Sequence, residues 1–286
     1  MESHRQLARE GGVAHGRGIY LPLPKSFYAR PVHAVARDLI GKLLVRRDGT
    51  SLRIARIVEV EAYAGRLDPA SHSFRGPTPR CATMFGALGR LYVYFTYGAH
   101  FCVNVVAGSR RDAAAVLLRA AEPREGIETM RAGQRARTKP SATADALARD
   151  GLNARLASGP GNLAAAFSFA REHDGLDLTR GDVAWLAADP QRQRGSKADG
   201  AEPDWTPRIG LSSREASRWL WRCVDAASAA PTRIPATWPR ARAPQPTLAT
   251  LRVSLGRLRR GAAPARPAAS PPPAPRGKRR LRSRRG

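Results

Sequence analysis

Two carboxylates one residue apart in an otherwise apolar run, Val58-Glu-Val-Glu-Ala-Tyr63, are the side chains of this sequence best placed to do chemistry. Strand alternation puts Glu59, Glu61 and Tyr63 on one face and Val58, Val60 and Ala62 on the other. A carboxylate on a strand can be no more than a salt-bridged sheet residue. Here, however, Tyr63 shares its face and His72 follows eleven positions after Glu61, so a pocket with aromatic walls is expected around it. One carboxylate so placed can take the proton of an attacking water and face a sugar that becomes cationic, the two demands of hydrolysing an N-glycosidic bond. Glu59 is a rival on the same face, and spacing alone does not choose between them.

A second cluster runs Leu91-Tyr-Val-Tyr-Phe-Thr-Tyr-Gly-Ala-His-Phe-Cys-Val-Asn104. Tyr92 and Tyr94 alternate onto one face, and Tyr97 falls at a turn, where a large aromatic buries nothing unless it enters a partner. A side chain that fills the gap left by an extruded nucleotide needs that placement. Asn104, among valines, is a costly polar group unless hydrogen-bonded. Arg119 ends a short apolar strand and is expected to pair with a carboxylate. His72 has no second histidine at metal-ligand spacing, and Cys81, Cys102 and Cys223 are too scattered for a disulfide framework or a zinc site. Cys102 reads as core. Ser158-Gly-Pro-Gly161 opens a helix, a weak anion-binding signal by itself.

These residues need a scaffold, and turn chemistry predicts most of it. Pro31–Ile40 has apolar residues at helical spacing, stopped by Gly41. Asp48-Gly49 joins strands 42–47 and 52–63 in a hairpin. A long loop, 64–89, precedes a second hairpin of 90–95 and 100–107 with its tip at 96–99. A short strand at 115–118, helices at 125–131 and 158–169, and a strand at 183–187 follow, with polar loops at 132–150 and 189–206. The fold class expected is α+β: one compact mixed domain over 21–227, with a curved antiparallel sheet, flanking helices and a protruding β-hairpin. Residues 1–20 read as a flexible arm and 228–286 as a disordered Pro/Ala/Arg-rich tail.

The chain carries 49 Lys and Arg against 23 Asp and Glu, a net charge of +26. Fifteen of the basic residues follow Asp225, after which no Asp or Glu occurs, so residues 1–225 still carry +11. Both parts point to a polyanionic partner. No apolar leader or run long enough to span a membrane is visible, so a cytoplasmic protein without membrane contact is expected. No lysine lies between Lys42 and Lys139, which leaves the motif region without an amine for Schiff-base chemistry.

Taken together, Glu59-Val-Glu-Ala-Tyr63, Ala70-Ser-His-Ser73, Met84-Phe-Gly86, Leu91–Tyr94 with Tyr97-Gly98, Phe101–Asn104, Val116–Ala120 with Glu122-Pro123, Ser158-Gly-Pro160 and Arg208–Leu211 resemble the alkyladenine (3-methylpurine) DNA glycosylases over about 28–215. The resemblance implies a monofunctional DNA repair enzyme, without metal or organic cofactor, that acts as a monomer on double-stranded DNA containing damaged purines in a bacterial nucleoid. It implies that Glu61 activates water with Arg119 helping to hold it. Tyr63 and Tyr94 would stack on the flipped purine, with His72 bonding beside it. Asn104 would exclude the exocyclic amine of guanine, Leu211 would wall the pocket, and Tyr97 would intercalate. The chain departs from the family pattern at Cys81, usually asparagine, at Asn162, often lysine, and after Leu211. A non-catalytic damaged-DNA or nucleic-acid-binding protein is the alternative, and it has no need of Glu61.

Overall fold

The computed structural model describes residues 13–15, 18–109, 111–137, 155–191 and 202–251. Its centre is β4 (Ser51–Tyr63), which turns back from β3 (Leu43–Asp48) at Asp48-Gly49 as the turn residues predict. The first half of β4 pairs with β3, while Glu59–Glu61 pair with β10 (Arg222–Val224). On its other edge β4 pairs along most of its length with β7 (Ala114–Glu125). Beyond β7 come β6 (His100–Ala107) and β5 (Leu91–Thr96), so one antiparallel sheet carries both chemical clusters. Strands β8 (Ala184–Ala187) and β9 (Asp204–Thr206) extend it beside β3 and β10. The fold is α+β, as expected.

The β4–β7 ladder is irregular where the chemistry lies. Ile57 faces Ala121, Glu59 faces Ala120, and Val60 faces Leu118. One extra residue in β4 (Val58) is therefore answered by one extra residue in β7 (Arg119), and the register on either side is the same. Such bulges twist a strand locally and re-aim a side chain. Here they free Arg119 from the ladder beside both carboxylates.

Among the described residues four helices pack around the sheet: α1 (Lys25–Tyr28), α2 (Val32–Leu39), α3 (Ile127–Arg137) and α4 (Pro160–Ala166). The apolar spacing of α2 buries Val32, Val35, Ala36 and Leu39. The guanidinium groups of Arg46 and Arg53 donate to the carbonyls of Ala166, Phe167 and Ser168 at the end of α4, groups that no helical partner satisfies. The loop 64–89 is ordered by two 3₁₀ turns and by Asp68, which accepts from the backbone of Ala64 and Ala70. No described helix is long and apolar enough to cross a membrane.

Of the arm expected at 1–20 the described residues are 13–15 and 18–20, and the tail expected from 228 is described as far as 251. Val13–His15 (β1) and Gly18–Tyr20 (β2) form a ribbon, and buried Tyr20 accepts from Trp185 Nε1 through its carbonyl, 3.0 Å away. The body also does not stop at 227. The chain runs on as a strap: Ala230 is buried, Thr232 bonds Glu59, Ala241 pairs with Trp205, and the carbonyl of Pro246 accepts from Trp221 Nε1. Proline and alanine read as disorder in isolation, but here buried tryptophans and a buried acid supply the partners. The compact unit reaches Leu248, and the expected basic tail from 252 on lies outside the described residues, as does 138–150 of the polar loop.

Ending the chain at residue 227 should therefore lower stability by at least about 3 kcal/mol, or roughly 6–12 °C in Tm, because several buried donors and acceptors lose partners. Ending it at Leu251 should leave the melting transition in place. Calorimetry on the two truncations checks this.

Candidate active site

The sheet face bearing Glu61 opens into a cleft of about 370 Å³. Glu61, Tyr63, His72, Tyr94, Tyr97, Asn104, Arg119 and Leu211 all line it, although they come from four strands, two loops and the hairpin turn between β5 and β6. Glu61 is fully buried from solvent. Its Oε1 accepts from the Ile209 backbone N–H at 2.8 Å and lies 3.2 Å from an Arg119 guanidinium nitrogen, and its Oε2 accepts from the Tyr63 hydroxyl at 2.8 Å. Burial, then the Glu61 charge, push the Tyr63 pKa well above 10, so the phenol stays protonated as a donor.

Glu59 is equally buried but has a different task. Its Oε1 accepts from Arg119 Nε at 2.7 Å, Arg222 Nε at 2.6 Å and Thr232 Oγ1 at 2.6 Å, and its Oε2 from Thr232 N at 2.7 Å. It does not line the cleft. Arg119 stands between the two acids, and of the pair it is Glu61 that lines the cleft. Burial alone would raise the Glu59 pKa, but Arg119, Arg222 and the Thr232 bonds hold it below the usual carboxylate value. For Arg119 burial works against the charge, and the two glutamates more than restore it, so its pKa lies above the ordinary guanidinium value.

The walls are as carefully fixed. Arg208 lies over the Tyr63 ring, its guanidinium carbon 4.7 Å from the centroid, with Trp221 on it at 5.0 Å. Asp68 holds Arg208 with two bonds of 2.6 and 2.9 Å. Opposite, Tyr94 stacks on Tyr92 with ring centroids 5.5 Å apart and meets the His72 ring edge-on at 4.6 Å. His72 Nδ1 is 2.9 Å from the Tyr92 hydroxyl. Although one side of His72 is open to solvent, packing of the ring and then the Arg80 charge lower its pKa to about 4, leaving it neutral at pH 7. Asn104 is satisfied, as a buried amide must be, by donating to the carbonyl of Tyr92 at 3.2 Å.

Tyr97 sits at the rim with 80% of its surface exposed and φ of +52°, followed by Gly98 at +62°. A side-chain-bearing residue in that region carries about 1–2 kcal/mol of strain. Its ring lies 6.0 Å from that of His100 and is otherwise turned to solvent.

Several neighbours were not legible as site residues. Cys102, expected to be core, lines the cleft and is bonded to Tyr94, with burial pushing its thiol up to about 11. The Ile209 amide, Arg208 and Asp68 become relevant only through contacts far apart in sequence. The departures from the family pattern are local: Cys81 bonds Thr78, and Asn162 donates to the Ser158 carbonyl. Among the described residues no cluster of three or more His, Cys, Asp or Glu could hold a metal ion.

The two acids should separate in stability measurements. Glu59→Ala strands two buried guanidiniums and should cost about 3–5 kcal/mol, whereas Glu61→Gln should cost about 1 kcal/mol or less. Because its folded pKa is depressed, the contribution of Glu59 is complete above about pH 4.5 and drains away as pH falls through the folded value. Denaturant melts from pH 3 to 7 should show that slope in the wild type and a flatter one in Glu59→Gln.

A family model described as methylpurine-DNA glycosylase matches residues 26–229. A Burkholderia orbicola (strain MC0-3) protein named "Putative 3-methyladenine DNA glycosylase" is 42% identical over 199 residues, covering 70% of this chain and 86% of its own. Proteins of the same name from Anaeromyxobacter dehalogenans (strain 2CP-1) and Koribacter versatilis are each 40% identical, over 215 and 195 residues. The alignments cover 73% of this chain and 90% of the first protein, and 67% of this chain and 84% of the second. The matched span contains every side chain that lines the cleft, and the chain belongs to the methylpurine-DNA glycosylase family.

Proposed function

We propose that this protein draws a damaged purine, alkylated or deaminated, out of duplex DNA into the cleft and hydrolyses its N-glycosidic bond, leaving an abasic site. The observation that carries the proposal is Glu61: a carboxylate shut off from bulk solvent, held by three protein groups and still facing the cleft. A protein that only binds DNA gains nothing from burying an acid there. In the reaction Glu61 takes a proton from water as the water oxygen attacks C1′, and the purine leaves through its ring nitrogen with the bonding pair. A methylated, cationic purine leaves as a neutral base and needs no acid. The developing sugar cation faces Glu61, while Glu59 offsets the opposing charge of Arg119.

The walls fit the same substrate. Tyr63 and Tyr94 offer flat faces for a base, and neutral His72 adds no positive charge against a cationic purine. Asn104, tied to Tyr92, leaves a fixed amide to clash with the exocyclic amine of guanine. Tyr97, exposed at the tip of the hairpin, enters the stack where the nucleotide has left. With no lysine between Lys42 and Lys139, the reaction ends at hydrolysis, without cleavage of the DNA strand.

Release of free base from methylated duplex DNA, with a hypoxanthine duplex as a second substrate, tests this reading. Glu61→Gln should lower the single-turnover rate by at least about 10²-fold and leave duplex binding in place. Near wild-type release by that variant sinks the assignment of the base. Asn104→Ser should release guanine from undamaged duplex at a detectable rate, and unchanged selectivity would restrict Asn104 to its bond with Tyr92.

A further inference from the structure

Thr232 lies three residues past the end of the family match, in the strap that the composition suggests is disordered. Its hydroxyl donates to Glu59 Oε1 at 2.6 Å and its backbone N–H to Oε2 at 2.7 Å. Its carbonyl accepts from Arg222 at 2.8 Å, and Arg222 in turn donates to Glu59. Glu59 holds Arg119 at 2.7 Å, and Arg119 reaches Glu61 at 3.2 Å. Three links, Thr232 to Glu59, Glu59 to Arg119 and Arg119 to Glu61, thus join a residue of the strap to the carboxylate in the cleft. The strap supports the opposite wall as well: the carbonyl of Pro246 fixes Trp221, which lies against the Arg208 guanidinium behind Tyr63.

We infer that Thr232 is a positioning residue for base excision, setting the place of Arg119 and Glu61 through Glu59 without touching the substrate. The inference rests on the proposed roles of those two residues. Glu59 could satisfy two arginines in more than one rotamer. Thr232 binds both of its oxygens, and the backbone bond to Oε2 comes from the same residue as the side-chain bond to Oε1. That bidentate grip fixes the plane of the carboxylate, and with it the direction in which Arg119 extends. Freed from the ladder by its bulge, Arg119 has its guanidinium set between Glu59 on one side and Glu61 on the other.

Single-turnover release of methylated purine from duplex DNA, measured from pH 4.5 to 9, tests this in Thr232→Val and Thr232→Ser beside Glu61→Gln. Valine keeps the shape and backbone bond but loses the hydroxyl, and its rate should fall roughly 10- to 100-fold. Affinity for a duplex carrying an abasic analogue should stay at the wild-type value. Losing a donor to the ionised form of Glu59 favours its protonation, so the acid limb of the rate profile should move to higher pH. Serine should restore both rate and profile. Thr232→Ala removes the same hydroxyl and carries the test if the valine variant fails to fold. Wild-type rate and acid limb in these variants, or equal loss in valine and serine, would overturn the positioning role. An active Glu61→Gln would instead sink the underlying assignment of the base, so the two failures are distinguishable.

Discussion

Charge taken out of water must be answered by charge or by a full set of hydrogen bonds, and β4 buries two carboxylates one residue apart. Arg119, inserted between them, makes that possible. It donates to Glu59 on one side and approaches Glu61 on the other, and Arg222 supplies the second positive charge. The order of the sheet follows from this need. Arg119 must come from β7 and Arg222 from β10, so these strands flank β4 beside Glu59–Glu61. The paired bulges let an extra side chain enter there without shifting the ladder elsewhere. What distinguishes the acids is therefore their surroundings: Glu59 has every oxygen engaged in support, and Glu61 keeps one side toward the cleft.

The same division between support and working surface recurs in the aromatic walls. Arg208, fully enclosed and held by Asp68, fills the space behind Tyr63, while Tyr92 backs Tyr94 and holds His72. Flat rings wedged from behind cannot collapse onto each other, so the gap between them persists when it is empty. Tyr97, whose ring meets that of His100 at 6.0 Å, is left largely exposed by a left-handed turn that presents it outward.

Much of this was legible in the sequence where local rules apply. Asp48-Gly49 specified the first hairpin, alternation put Glu61 and Tyr63 on one face, and Tyr97-Gly98 marked the second turn. Reading failed where partners are distant. The strand at 115–118 extends to Ala114–Glu125 because the polar end Glu122–Glu125 finds Arg56 and Tyr20. The three-residue strands at 204–206 and 222–224 are too short to show a period. Glu59 and Glu61 could not be told apart, because the distinction lies in a bulge on another strand. The strap after 227 has the composition of a disordered segment, and only the tryptophans and the acid it covers make it part of the body.

One of these contacts also bears on how the protein comes into being. Glu59 and Thr232 are separated by 173 positions along the chain. A ribosome adding roughly 5–20 residues per second needs about 10–35 s to pass from one to the other. Throughout that interval the emerging chain holds a buried-to-be acid whose final donors have not been made, so the central strand cannot close its charge ladder early. The final donors to this acid are thus among the last groups the nascent body acquires. An incomplete chain released before the strap is synthesised carries the aromatic cleft without a finished support for its carboxylates.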